Sequence, residues 1–390
     1  MDKHIFSKRG DALVGQEMFK VLDKAKTLES QGKDIIHLEL GQPRFEPPEG
    51  LIDKTRESLS EKEVGYSSSY GILSLRKKLV LSLSKQNLDI KVENIVIATT
   101  NLLISQCLHL LTNPSDRVVV FSPTFPSYIA SSNFLELDLV QIPLSFDKKF
   151  QLSIEDIDKA LLLRPKVIIV NSANNPTGAV YEGSVLNYLK EKCRENDVWI
   201  ISDETYSSIV YAKKFSSLLS AQYKNEIVIS SFSKVYSIPG FRLGFAVANK
   251  TVIDKLALSN SSLISCNSIF TQKGVESVLD NDSSYILEIN KKLNSLITEV
   301  QKLLLASENL NKSFIQPDGG YYMFLNISKS KLKSFDFCNM LLEKYSVACT
   351  PGISFGIDFD EYVRISICGS RQDVLTGVTR MISYFDNINI

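Results

Sequence analysis

An open α/β fold, with a mostly parallel central sheet flanked by helices and a smaller α+β domain beside it, is what three features of this sequence predict. Short apolar runs rich in valine and isoleucine recur between residues 90 and 250 and alternate with helix-patterned segments. Parallel strands buried on both faces by crossover helices read this way. The chain has 390 residues, 44% hydrophobic and 23% charged, an ordinary globular composition with length for more than one core. A long amphipathic pattern at 284–307 then leads into mixed strand and helix signals, which marks a second unit.

Along the chain, Leu13, Met18, Val21, Leu22, Ala25 and Leu28 recur at helical spacing over residues 11–32, with Gly32 suited to close the helix. Residues 35–40 read as a strand, and Gly41-Gln42-Pro43 with Pro47-Pro48 as an irregular loop. The strand runs of the main sheet are Ile95-Val96-Ile97-Ala98, Val118-Val119-Val120-Phe121, Val167-Ile168-Ile169-Val170, Val198-Trp199-Ile200-Ile201 and Ile227-Val228-Ile229-Ser230. After the long helix, strands are expected near 320–325 and 362–367, and helices near 334–343 and 371–385. The organisation that follows is an N-terminal arm and helix over 1–45 belonging to the small domain, a large domain over 46–285, and the rest of the small domain over 286–390.

Lys plus Arg equals Asp plus Glu at 44 each, so no excess charge points to nucleic acid or an anionic membrane, and a small molecule is the expected partner. The six cysteines are scattered without a CxxC or CxxxC pair, and His4, His37 and His109 show no ligand spacing. That pattern predicts no metal site and free thiols in a reducing compartment. The first nine residues lack the apolar core of a signal peptide, and no uncharged apolar run reaches spanning length, so a soluble, cytoplasmic protein is expected.

Ligands of open parallel sheets bind beyond the carboxyl ends of the strands. Beyond those ends stand Ser122-Pro123-Thr124-Phe125-Pro126-Ser127-Tyr128, Asn171-Ser172-Ala173-Asn174-Asn175-Pro176-Thr177-Gly178, Ser202-Asp203-Glu204-Thr205-Tyr206, and Ser230-Ser231-Phe232-Ser233-Lys234 followed by Gly240-Phe241-Arg242-Leu243-Gly244. An amide, a carboxylate, a phenol, a lysine, an arginine, hydroxyls and an aromatic ring thus share one edge. The set suits an anionic aromatic cofactor with a reactive carbonyl. A lysine forms the imine, an arginine with hydroxyls holds phosphate, and a carboxylate keeps a ring nitrogen protonated so that the ring accepts electrons. Singly, each has a structural explanation: Asn-Pro-Thr-Gly makes a turn, an aspartate caps a helix, a lysine is solvated. Their co-occurrence in this order sets them apart.

In these motifs, and over residues 19–384, the sequence resembles the class I and II aminotransferases of the aspartate-aminotransferase superfamily, pyridoxal-phosphate (PLP) enzymes of fold type I. The family's Asn-Pro-Thr-Gly stands at Asn175-Pro176-Thr177-Gly178, its Asp-x-x-Tyr at Asp203 and Tyr206, its Ser-x-Ser-Lys at Ser231-Phe232-Ser233-Lys234, and its Gly-x-Arg-x-Gly at Gly240-Phe241-Arg242-Leu243-Gly244. Gly41-Gln42-Pro43, Tyr66 with Tyr70-Gly71-Ile72, Pro317-Asp318-Gly319-Gly320 and Val363-Arg364-Ile365-Ser366 keep the family's order at both ends.

The resemblance implies that 46–285 is the PLP-binding domain and that Lys234 carries the cofactor as a Schiff base and shuttles the substrate α-proton. It gives Asp203 the pyridine nitrogen, Asn175 and Tyr206 the ring hydroxyl oxygen, and Phe125 the ring face. Ser231, Ser233 and Arg242 bind the phosphate, with Thr100, Asn101 and Leu102 in the turn after the first sheet strand. Arg364, with Gly41 and Asn175, holds the substrate carboxylate. Tyr66 matches the residue that reaches the phosphate in the neighbouring subunit, which implies a homodimer. The reaction implied is transfer of an amino group between an L-amino acid and a 2-oxo acid. A lyase or cyclase acting through an α-carbanion shares the same motifs, and a cofactor-binding regulator is the alternative from another class.

Two departures from the family bear on this reading. The turn Thr99-Thr100-Asn101-Leu102-Leu103-Ile104-Ser105 lacks the family's glycine, leaving helix N-terminal amides to bind phosphate. Residues 98–106 also lack the basic residue that reads a distal carboxylate in one aspartate-specific branch. Leu102, Leu103 and Ile104 offer apolar surface instead, so an uncharged or aromatic donor is expected, with Arg44 as the competing source of a cation.

Overall fold

The computed structural model describes residues 7–11, 17–84, 90–219 and 224–387; Leu13 and the first six residues, His4 among them, lie outside these. The predicted N-terminal helix is described over Glu17–Ser30 and closes at Gly32, whose φ of +89° is the left-handed conformation expected of a helix-ending glycine. The strand expected over 35–40 is shorter: β1 is Ile36–His37 alone. Beyond it, the Glu39 and Gly41 carbonyls are taken by side chains instead of by a neighbouring strand.

The main sheet contains β2 (Ile95–Ala98), β3 (Arg117–Ser122), β4 (Asp138–Pro143), β5 (Val167–Asn171), β6 (Trp199–Asp203), β7 (Glu226–Ser231) and β8 (Gly244–Val247). Its seven strands run in the order β2-β8-β7-β6-β5-β3-β4. All its pairs are parallel except those β8 makes with β2 and β7. β4 and β8 have no counterpart among the predicted strands. β4 is a half-buried edge strand whose Asp138 and Gln141 break up its apolar run, and β8 is only four residues long.

The apolar runs are continuous because successive residues feed two cores. Val118, Val120, Val167, Ile169 and Ile201 face one side, with Leu103 and Cys107 of the helix Thr100–Leu111 and Ile253 and Leu256 of Lys250–Leu263. Val119, Phe121, Ile168, Val170 and Ile200 face the other, with Ile157 of Ile154–Leu162 and Leu186 and Leu189 of Gly183–Glu195. Burying each such side chain stabilises the sheet by about 1.5–3 kcal/mol.

The remaining strands are β9 (Tyr322–Asn326), β10 (Val347–Ala348), β11 (Thr350–Pro351) and β12 (Tyr362–Ser366). β10 pairs in parallel with β1, and β11-β12-β9 form an antiparallel sheet. One core joins the two ends of the chain: Val21 and Ala25 pack with Val300 and Leu304 of the long helix Ser283–Ala306, Met323, Ile365, and Val378 and Met381 of Arg371–Asn387. This places β1 and β12 opposite the carboxyl ends of the main sheet.

Candidate active site

Strand register brings the singled-out residues together. Asn171 is paired with Asp203 at the ends of β5 and β6, and Gly244 lies beside both Ser231 and Ala98. A cavity of about 350 Å³ opens there, lined by Gly41, Thr100, Asn101, Phe125, Asn175, Asp203, Tyr206, Ser231, Ser233, Lys234, Arg242 and Arg364. These are the residues the sequence singles out, save Leu102 and Tyr66.

At the floor lies Asp203, a buried carboxylate. Tyr128 Oη donates to its Oδ2 at 2.6 Å and the Thr205 amide to its Oδ1 at 3.1 Å. Burial lifts the Asp203 carboxyl above its ordinary range, while the Thr205 and Tyr128 hydrogen bonds pull it back. Asn171 secures the backbone, its Nδ2 donating to Asp203 O at 3.0 Å and its Oδ1 accepting from the Asn175 amide at 2.8 Å. Phe125 meets Tyr128 edge to face at 5.7 Å and presents its ring to the cavity. Tyr206 Oη lies 3.0 Å from Tyr322 Oη. Burial, then the Tyr322 hydroxyl, raise Tyr206 well above the usual phenol range, so it acts as a neutral donor.

Lys234 follows β7 in a one-turn helix that Ser231 caps, its Oγ accepting from the Ser233 amide at 3.2 Å. Lys234 Nζ donates to Gly41 O at 2.7 Å. Burial lowers the ammonium from 10.5 to about 8, with Arg364 and Arg242 adding to the effect and Cys368 opposing it. Lysine is thereby an available nucleophile near neutral pH.

Beyond Lys234 the cavity end carries groups whose chemistry suits an anion. Ser231, Ser233 and Arg242 converge on the start of the helix Thr100–Leu111, whose first amides have no acceptor within the helix. Thr99 Oγ1 donates to Arg242 O at 2.8 Å and Thr100 Oγ1 to Ser230 O at 3.4 Å. Arg242 itself adopts the left-handed conformation at φ +54°, uncommon outside glycine. The close approach that a turn glycine would permit is provided by Gly244, where a Cβ would lie 2.6 Å from Thr100 Oγ1 and 2.5 Å from Ser230 O.

At the opposite end stands Arg364, 1% exposed. Nη1 donates to Asn175 Oδ1 at 3.0 Å, and Nη2 to Glu39 O at 2.5 Å and Thr350 Oγ1 at 3.1 Å. Its Cζ lies 4.2 Å from the Tyr322 ring centroid. These partners are neutral, and Nε has none. A buried guanidinium in this state suits an anion entering the cavity.

Two expectations need correction. Leu103 and Ile104 are fully buried in the sheet core, and Leu102 does not line the cavity, because the helix turns its apolar face to the sheet. The apolar surface at the mouth comes from Met18, Phe19 and Leu40. Arg44 lies apart from the cavity, with Nη1 3.1 Å from Asp373 Oδ2. Tyr66 is 89% exposed and borders a separate hollow with Val64, Ile264 and Phe270. Among the site residues the sequence reading left unassigned, with Asn171, Thr205 and Tyr322, is Tyr128; it stands three residues after Phe125, a spacing that brings the two rings together. Among the described residues there is no metal-binding cluster and no helix long and apolar enough to cross a membrane.

The family described as aminotransferase class I and II matches residues 33–381. A (5-formylfuran-3-yl)methyl phosphate transaminase of Methanocaldococcus jannaschii is 32% identical over 386 residues, 96% of this chain and 98% of that protein. An aspartate aminotransferase of Thermotoga maritima is 29% identical over 368 residues, covering 93% and 95%. The solved structure of an aspartate aminotransferase from Thermotoga maritima superposes with a TM-score of 0.89 at 27% identity, covering 98% of this chain and all of the other.

Proposed function

Because this chain belongs to the class I and II aminotransferases and is a PLP-dependent enzyme exchanging amino groups between amino acids and 2-oxo acids, we propose that its cavity works through Lys234, Asp203 and Arg364 on an amino acid with an uncharged side chain. The observation that carries the assignment is the buried Arg364, with only neutral partners, in the same cavity as a lysine lowered to about 8.

The residues fit PLP at each end. Ser231, Ser233, Arg242 and the amides of Thr100, Asn101 and Leu102 suit its phosphate, Phe125 its ring face, and Lys234 its aldehyde. Once bound, PLP supplies an electron sink for the electrons released when the substrate α-hydrogen leaves as a proton. Asp203 would hold a proton on the pyridine nitrogen, and the donors from Tyr128 and Thr205 counter the rise that burial imposes on its carboxyl. Tyr206 and Asn175, which line the same cavity, would hydrogen-bond the ring hydroxyl oxygen. Arg364 holds the substrate carboxylate in two-pronged fashion, and Gly41 lets the chain pass close by: a Cβ there would lie 1.7 Å from Tyr322 Oη. Lys234 would hold the cofactor's aldehyde and carry the substrate α-proton.

For the side chain, Met18, Phe19 and Leu40 supply apolar contact at the mouth. The cavity's basic residues, Lys234, Arg242 and Arg364, are each committed to another group, and Arg44 is paired with Asp373. A distal carboxylate would be desolvated without a partner from this chain. Half-reaction rates for phenylalanine, leucine, methionine, alanine, aspartate and glutamate test this. The best apolar donor should exceed aspartate in kcat/KM by about tenfold or more. If aspartate or glutamate is best and Arg44→Ala abolishes the preference, the apolar reading is wrong and Arg44 sets specificity.

The exposed Tyr66, with Val64 and Leu263 exposed by 64% and 62%, suits a face covered by a second copy that brings Tyr66 to its partner's phosphate end. The six cysteines are free thiols, all but Cys266 buried, which suits a reducing compartment such as the cytoplasm.

A further inference from the structure

Two backbone carbonyls separated by Leu40 hold the guanidinium proposed for the substrate carboxylate and the lysine proposed for the cofactor. Glu39 O accepts from Arg364 Nη2 and from Thr350 Oγ1, at 2.5 and 2.7 Å. Gly41 O accepts from Lys234 Nζ and from Tyr321 Oη, at 2.7 and 3.2 Å. Backbone hydrogen bonds hold the segment as far as Leu38, whose N–H donates to Ala348 O at 2.9 Å and whose O accepts from the Ser366 amide at 2.8 Å, but no backbone group among the described residues holds Glu39 itself. Side chains do: His37 Nδ1 lies 2.7 Å from Glu39 Oε1, and His37 Nε2 lies 3.1 Å from Glu29 Oε1 on the helix Glu17–Ser30. Glu39 is fully buried and its other oxygen, Oε2, has no partner. A carboxylate in that position is costly to keep unless the imidazole beside it donates.

We propose that His37, clasped between Glu39 and Glu29, is a positioning residue that holds the Glu39 carbonyl against Arg364 and thereby sets the affinity of the site for the substrate carboxylate. The inference rests on Arg364 being the carboxylate receptor. The charged groups bordering the adjoining hollow are Glu29 and Lys26 from the N-terminal helix and Glu39 and Arg44 from the segment of His37 itself; the continuation of β12 brings only Ser366 and Gly369. The Glu39 hydrogen bond, opposed by burial and reinforced by the charges of Glu39 and Glu29, raises the imidazole from 6.5 to about 9. Through the neutral range both ring nitrogens therefore donate. As pH rises through about 9, one donor is lost and the clasp opens on one side.

The test is calorimetric binding of 3-phenylpropionate, an unreactive acid, and its neutral amide to the PLP-loaded enzyme at pH 7 and pH 10, in wild type, His37→Gln and Glu39→Gln. Wild type should prefer the acid at pH 7 and lose about tenfold of its affinity for the acid by pH 10, the worth of one hydrogen bond to a charged group. His37→Gln should bind the acid about tenfold more weakly at pH 7, without that pH dependence, and bind the amide like wild type. Its half-reaction should show a raised KM with kcat nearly unchanged. Other titrating groups are common to both proteins, so the difference between their pH profiles belongs to His37. Glu39→Gln, nearly isosteric, should also lose the pH dependence if His37→Gln folds poorly. Variants that bind acid like wild type at both pH values overturn the proposal, as does an equal loss of acid and amide binding, which marks a merely structural role. If wild type itself binds acid no better than amide, Arg364 is not the receptor, and that earlier reading fails first.

Discussion

Adding PLP to cofactor-free protein between pH 6 and pH 10 should give a loading rate that climbs steeply and then levels off above about pH 8. The attacking species is the neutral amine, and burial holds Lys234 at about 8, against 10.5 for an ordinary lysine. At pH 7 the neutral fraction is then roughly a tenth, compared with about 3 in 10,000 for an unshifted amine, a gain of about 300-fold. Between pH 6 and pH 9 the rate should rise by about 90-fold and flatten, whereas an unshifted lysine would give about 1,000-fold with no sign of a plateau. The hydrogen bond to Gly41 O does not oppose this, since a neutral amine still donates. Stopped-flow absorbance of the cofactor band follows the rate, and borohydride reduction with peptide mapping locates the label. A rate still rising tenfold per pH unit above pH 9 would refute the argument from burial, and a label on another lysine would refute the assignment.

Tyr128→Phe removes the 2.6 Å donor to Asp203; hydrogen bonds to charged groups contribute about 1.5–3 kcal/mol. Because Tyr128 counters the rise that burial imposes on Asp203, its loss should push the carboxyl further up, move the acid limb of the kcat/KM profile to higher pH, and lower kcat/KM by about tenfold or more. Wild-type kinetics with an unmoved acid limb would show that Asp203 needs no such support. Mixing inactive Tyr66 and Lys234→Ala variants should restore about a quarter of the sites through hybrid dimers in which an intact Tyr66 completes an intact Lys234 site. Sedimentation of a fully active monomer, or mixtures no better than their components, would rule that arrangement out.

What was legible in the sequence divides along a physical line. Asn175, Asp203, Lys234 and Arg242 could be read because chemistry demands those side chains beyond strand ends, and the strands were visible because burial on two faces forbids polar residues. β4 and β8 escaped because an edge strand tolerates Asp138 and Gln141, and β8, Gly-Phe-Ala-Val, starts on a glycine and holds one β-branched residue where the equally short β2 holds three. The error at Leu102, Leu103 and Ile104 was one of helix phase, since the same apolar triplet that could line a pocket is needed to seat the helix on the sheet. Backbone partners are the least legible. Arg364 and Lys234 are held by the carbonyls of Glu39 and Gly41, and every residue type has a carbonyl. Gly41 leaves a trace because a side chain there would collide with Tyr322; Glu39 leaves one only through His37, two positions back. In an extended segment, side chains at i and i+2 share a face, so a histidine and a glutamate at that spacing next to a binding loop already mark a pair that can clasp the backbone between them. The spacing was visible in the sequence, but its meaning depended on knowing where the carbonyl of Glu39 points.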